Sequence, residues 1–231
     1  LEEAGIQCYE QGGSGPNEKT NLVVVSTAVE DSVPEVQKAM QLNVPIIKRS
    51  EMLAMIAASK KTIAVAGTSG KSTTCGMLFR ILETAGLKPN IISGAGLVSI
   101  IKENKIGNAK VGAGDWLVIE ADESDGSIVQ YKPEVGILLN VDKDHQEIAT
   151  LMELFSIFKN HCKTSFIVNL NNELAASLSS GERVNFSTTI HSGAAVVATN
   201  FRQAGMTISF NVGDQEFLLN TVGKHNMENA L

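Results

Sequence analysis

The sequence predicts an α/β protein: a parallel sheet flanked by helices, with an antiparallel meander appended after it. Three observations predict this. Short apolar runs alternate with helical patterns, as at "LVVVST" (22–27), "TIAVA" (62–66), "WLVIE" (116–120) and "VGILLN" (135–140). The alternation pauses at Lys60 and Lys61 and restarts more strongly at residue 62, which divides the chain into domains 1–60 and 61–231. Past residue 183 the apolar period becomes two, with Met206, Ile208, Phe210 and Val212 alternating with polar residues.

Each element follows from local chemistry. Residues 22–27 form a β-branched strand, and Asp31 or Ser32 caps a helix from Pro34 to about Asn43, with proline in its first turn. "VPII" (44–47) is a second strand, and Ser50 opens a helix over 50–60. After the strand at 62–66 a glycine loop leads into a helix that Gly86 stops. Met77, Leu78, Ile81, Leu82 and Ala85 give that helix its expected buried face. Leu151, Leu154, Phe155 and Phe158 repeat at helical spacing, and "SFIVN" (165–169) supplies a further strand. "VGDQ" makes the turn before the closing strand "EFLLN".

Composition narrows the function. The 231 residues suffice for one large or two small domains, and 43% hydrophobic with 19% charged residues is ordinary for a soluble protein. A net charge of −6 argues against nucleic acid or an anionic membrane as the main partner. No apolar run approaches the ~20 residues that span a bilayer, so no membrane insertion is expected. Cys8, Cys75 and Cys162 are scattered without metal-like or redox spacing, which fits a reducing compartment, the cytoplasm. The chain opens inside an amphipathic pattern and stops where a helix has just begun, so it reads as a piece of a longer protein. Oligomeric state is not legible.

The stretch "VAGTSGKSTT" (65–74) carries the first chemistry. A strand, a glycine loop and a helix start present backbone N–H groups and the positive end of a helix dipole to an anion. Gly67 and Gly70 let that backbone approach phosphates, Lys71 neutralises their outer oxygens, and Ser72 places a hydroxyl on Mg²⁺. Thr73 and Thr74 are further donors in the first turn, and Thr68 is a further candidate contact in the loop. The loop is of P-loop type but shorter, since Val65 stands where the longer pattern has its first glycine. No N-K-x-D or D-x-x-G accompanies it, which favours ATP over GTP.

Two more strand ends carry polar groups. "WLVIEADESDG" ends a strand on Glu120, with Asp122, Glu123 and Asp125 following, and "ILLNVDKDH" ends another on Asn140, Asp142, Asp144 and His145. In an open parallel sheet, ligands bind outside the carboxyl ends of the strands. Ser72 and Glu120 are the oxygen donors for one Mg²⁺, and His145 is a candidate at a second ion.

Four motifs now stand in order: "GTSGKST" (67–73), "EADESD" (120–125), "NVDKDH" (140–145) and "GKHNMENAL" (223–231). Together they resemble the Mur ligases of peptidoglycan synthesis. The resemblance implies the tail of a Rossmann-like, UDP-substrate-binding domain over 1–60. Over 61–231 it implies a central ATPase domain, the family's C-terminal domain being absent. It places Lys71 on the ATP phosphates, Ser72 and Glu120 on one Mg²⁺, and His145 at the second. Lys71, Glu120 and His145 would thus carry catalysis, and His225, Asn226 and Asn229 would lie against adenine. The implied reaction joins an amino group to the carboxylate of UDP-N-acetylmuramate through an acyl phosphate, in the service of cell-wall biogenesis, cell shape and cell division. L-alanine is the favoured acceptor, because only nine residues separate Glu123 from Pro133, whereas tripeptide-recycling relatives carry a longer segment there. Recycling, another amide ligase of the superfamily, and an ATP-binding module without ligase activity remain as alternatives. Ser69 and Ser72 stand where the family's loop usually has His and Thr, and "QEIATL" replaces its usual continuation after His145.

Overall fold

The structure, a computed structural model, describes all residues except 1, 3, 4, 144, 145, 182, 183 and 191. The chain divides into two compact units, Leu1–Ile56 and Ala57–Leu231.

In the first unit, β1 (Val23–Val25) and β2 (Ile46–Lys48) pair in parallel, joined through α1 (Pro34–Gln41), a β-α-β arrangement. Neither Asp31 nor Ser32 caps α1. Its N-cap is Val33, without a side-chain bond, and the Ser32 hydroxyl donates instead to Glu30. Proline explains this start, because Pro34 has no N–H to cap and its fixed φ suits the first helical position. Val36 and Ala39 form the buried side of α1. The next helix, α2, runs Arg49–Ala58, one residue earlier than the expected Ser50 start.

The second unit is built on β3 (Lys61–Ala66), β4 (Asn90–Ile92), β5 (Ala109–Lys110), β6 (Trp116–Glu120), β7 (Val135–Leu138) and β8 (Ser165–Val168). Among the described residues they form one sheet in the order β5-β4-β6-β3-β7-β8, parallel except for β5. The strands β4 and β5 were not expected; at three and two residues they are too short to show a period. The central strand β3 is buried from Thr62 to Ala66, as an apolar strand covered on both faces must be.

Helix α3 (Lys71–Thr84) ends where expected, with Gly86 at φ +77°. Its buried face differs. Thr74, Cys75 and Phe79 are buried, Leu78 and Leu82 partly so, and Ile81 is 60% exposed, so the helix is rotated from the expected stripe. The short α4 (Val98–Ile101) and α6 (Glu173–Ser177) carry too few residues for a stripe, whereas α5 (Ile148–His161) buries Leu151, Phe155 and Phe158 as their spacing requires.

The appended sheet contains β9 (Phe186–Ser187), β10 (Val196–Ala204), β11 (Thr207–Val212) and β12 (Gln215–Leu219). The last three form the antiparallel meander, and β9 adds to β10 in parallel. Ile208 and Phe210 face inward as the alternation predicts, but Met206 lies before β11 and is 74% exposed. Helix α7 (Lys224–Ala230) closes the described chain and buries Met227 against Ala198, Ile208 and Phe210.

Candidate functional site

Strand order decides what meets what. β3 lies between β6 and β7, so the glycine loop after β3 is flanked on one side by Glu120 and on the other by Asn140. Val65 is in register with Glu120, and Leu139 N–H donates to the Ala66 carbonyl at 3.0 Å. Three polar strand ends therefore share one edge of the sheet. His145 and Asp144 lie outside the described residues.

The loop is clamped by Asn140. Its Oδ1 accepts from the Thr68 hydroxyl (2.8 Å) and the Ser69 N–H (2.9 Å), its Nδ2 donates to the Ser69 carbonyl, and its own carbonyl accepts from Thr68 N–H. Asp142 N–H in turn donates to the Thr68 hydroxyl at 3.1 Å. Both donors of Thr68 are thus engaged by the clamp. Beyond it, Gly70 turns the chain at φ +85° and α3 begins with no side-chain cap. The N–H groups of the first helical turn have no intrahelical acceptor by geometry, and no other described group meets those of Gly70 to Thr73. Thr68 to Thr73 line an open cavity of about 270 Å³ in front of these groups. Free N–H groups at the positive end of a fourteen-residue helix form an anion cradle.

Lys71 folds back along that cradle. Its Nζ donates to the Gly67 carbonyl at 2.7 Å and to both carboxylate oxygens of Glu123, at 3.2 and 3.0 Å. Glu123 is 4% exposed, and burial pushes its carboxyl above the usual range while Lys71 pulls the other way. Gln146 fixes the segment by donating from Nε2 to the carbonyls of Glu123 (2.9 Å) and Ser124 (2.8 Å).

Glu120 is oriented by a residue that the sequence did not single out. Ser93, just past β4, donates its hydroxyl to Glu120 Oε1 at 2.8 Å, and Gly94 lies against the other carboxylate oxygen. Burial and the Glu120 charge together push the Cys75 thiol well above its usual range, which makes Cys75 an inert core residue rather than a nucleophile. Ser72 and Glu120 offer the hard oxygen donors that Mg²⁺ prefers. Among the described residues no three metal-binding side chains gather, so an ion there would complete its shell with phosphate oxygens and water.

A second cavity, about 330 Å³, opens beside the cradle. It is lined by Ser69, Gly70 and Thr73 on one side and His225, Asn226 and Asn229 on the other. Helix α7 is tied to α3 there, since the Thr74 hydroxyl donates to the Asn229 carbonyl at 3.2 Å. Asn226 Nδ2 is held by the Thr221 hydroxyl and the Val222 carbonyl, while its Oδ1 accepts from Asn229. The structure thus brings Thr68, Gly70, Lys71, Ser72, Thr73, His225, Asn226 and Asn229 to two adjoining cavities, with Glu120 on the neighbouring strand end; Gly67 lines neither cavity and holds Lys71 through its carbonyl. Sequence reasoning missed the roles of Asn140, Ser93 and Gln146. Of these, Asn140 carried a signal, as a polar residue ending an apolar strand.

Residues 65–231 match the Mur ligase middle domain, and residues 1–61 match the Mur ligase family catalytic domain. A UDP-N-acetylmuramate–L-alanine ligase of Geotalea daltonii is 37% identical over 249 residues, covering 100% of this chain and 52% of that protein. One from Aquifex aeolicus is 39% identical, covering 91% of this chain and 48% of that protein. The chain spans about half the length of the curated relatives it matches. Among solved structures, UDP-N-acetylmuramate-alanine ligase of Thermotoga maritima superposes with a TM-score of 0.83 at 23% identity, over 99% of this chain and 53% of that one. A UDP-N-acetylmuramate:L-alanyl-gamma-D-glutamyl-meso-diaminopimelate ligase from Neisseria meningitides gives 0.73 at 22% identity, over 92% and 72%. With the middle-domain match running from β3 to the end of α7, this chain belongs to the Mur ligase family.

Proposed function

We propose that this chain is the ATP-binding part of a cytoplasmic ligase that joins L-alanine to UDP-N-acetylmuramate in peptidoglycan precursor synthesis. Residues 1–60 are the remnant of a UDP-substrate domain, and 61–231 the ATPase domain. The observation that carries the reading is the row of N–H groups from Gly70 to Thr73 that no described group accepts, with Lys71 lining the same cavity. That row fits a triphosphate, and the adjoining cavity under His225, Asn226 and Asn229 fits a nucleobase, whose edge an asparagine amide can both donate to and accept from.

In this reading ATP with Mg²⁺ supplies an activated phosphoryl group for the muramyl carboxylate. The chain's own residues position and neutralise. The first-turn amides of α3 and Lys71 hold the phosphate oxygens, where fixed donors stabilise charge without reorganising. Ser72 and Glu120 would hold one ion, with Ser93 fixing the Glu120 carboxylate. His145, assigned on its motif alone, would serve a second ion. Asn140 keeps the cradle's shape, and Thr68 contributes through that clamp.

Phosphate release by the full-length protein tests this, given ATP, Mg²⁺ and UDP-N-acetylmuramate with L-alanine, with a tripeptide, or with no acceptor. Release that requires L-alanine is expected. Release only with the tripeptide would make it a recycling ligase. Bound ATP with no release under any condition would leave a nucleotide-binding module.

A further inference from the structure

Lys71 and Glu123 form a buried ion pair beside the cradle. Lys71 Nζ contacts both oxygens of the Glu123 carboxylate, and the two side chains are 15% and 5% exposed. Asp122, 55% exposed, has an oxygen 3.9 Å from the same ammonium. Among the described residues Lys71 is the cation that reaches Glu123.

The two partners are not equally free to move. Gln146 pins the Glu123 and Ser124 carbonyls, and the Glu123 side chain is only 5% exposed, so its carboxylate has little room to move. Lys71 hangs on a flexible four-carbon stem at the first position of α3, beside the cradle. A bound triphosphate carries several negative charges against the single charge of Glu123, so Lys71 is the partner that leaves. A buried carboxylate without its cation is unfavourable. The proposed reaction brings a replacement. An amino acid in neutral water carries an α-ammonium group, three N–H donors on a compact cation, the same donor set that Nζ presents now.

We infer that Glu123 is the binding site for the ammonium group of the acceptor amino acid, opened when Lys71 moves from its carboxylate to the nucleotide phosphates. The inference rests on the reading of the glycine loop as an ATP site. Asp122 lies at the outer side of the same position and adds negative field along the approach. The site selects for an acceptor with a free, charged amino group and places that nitrogen within one side-chain length of the cradle.

Glu123→Gln keeps the shape and removes the charge. In the full-length protein the KM for L-alanine is expected to rise roughly ten- to hundred-fold, the effect of losing a charged hydrogen-bond partner. The KM for ATP is expected to stay level or fall, because Lys71 no longer has a competing anion. Calorimetric titration of this chain with Mg²⁺ and ATP should give the variant an affinity equal to or tighter than the parent's. An unchanged KM for L-alanine, or KM values for ATP and L-alanine rising together, overturns the ammonium site and makes Glu123 a support for Lys71 alone. Wild-type protein that binds no ATP, or binds it and releases no phosphate with any acceptor, overturns the site together with the reading beneath it. The ATP titration separates those two cases.

Discussion

Two glycine turns in this chain offer backbone N–H groups to an anion, and they meet different fates. In the first unit, Gly12 and Gly13 both donate to one carboxylate oxygen of Glu35, at 2.7 and 2.9 Å, and these amides hold the Glu35 carboxyl below its usual range. The turn is closed by its own chain. In the second unit the clamp takes the amides of Thr68 and Ser69, and those of Gly70 to Thr73 face a cavity. The acidic residue nearby, Glu123, binds the lysine and not the amides. Glycines alone therefore do not make a phosphate site; amides left over after the fold has used its own acceptors do.

The largest expected difference between the turns comes from charge. Lys71→Ala should weaken ATP binding on the order of ten- to hundred-fold, whereas Glu35→Ala should leave it unchanged, as read by calorimetry. Asn140→Ala removes three hydrogen bonds from the loop. It should lower stability by about 1–3 kcal/mol in urea melts and weaken ATP about tenfold, with the cradle no longer held open.

Backbone substitutions sharpen the contrast further. Gly70 (φ +85°) and Gly13 (φ +79°) both sit in the left-handed region, so alanine at either costs about 1–2 kcal/mol from backbone strain. A Cβ on Gly70 would also press on the Asn229 side chain, while one on Gly13 would reach the Pro34 carbonyl at an ordinary 3.4 Å. Both variants should melt earlier, and only Gly70→Ala should also weaken ATP.

The smallest effect is in pH. Glu35 is depressed below the reference 4.5, so its stabilisation is present above that value and is lost as pH falls through its lowered pKa. Glu123 is raised by burial, so its contribution is fully present below 4.5 and is lost as pH rises through its raised pKa. Melting curves between about pH 3 and 7 should then flatten on the acid side of 4.5 for Glu35→Gln and on the other side for Glu123→Gln.

Much of the fold was legible, and the exceptions share a cause. Long apolar strands such as β3 and β6, and the stripe of α5, announce themselves because burial imposes a period over several turns or pleats. β4, β5 and β9 have two or three residues each and hold their places through the register of neighbours, which no local pattern encodes. The α3 face was misplaced because Cys75 and Thr74, buried against the sheet, weigh little as apolar signals. In the site, the loop and Glu120 could be read directly, since both close a strand. The Asn140 clamp spans 72 residues to Thr68, and the Lys71–Glu123 pair spans 52. Those contacts follow from the order β6-β3-β7, which the sequence does not spell out.

The most direct test is a titration of this chain with Mg²⁺ and ATP, following backbone amide resonances. The account predicts large shifts at Gly70, Lys71, Ser72 and Thr73, with Gly12 and Gly13 unmoved, and a titration displaced to roughly ten- to hundred-fold higher ATP in Lys71→Ala. Amides of the 70–73 turn that stay in place at saturating nucleotide would contradict it.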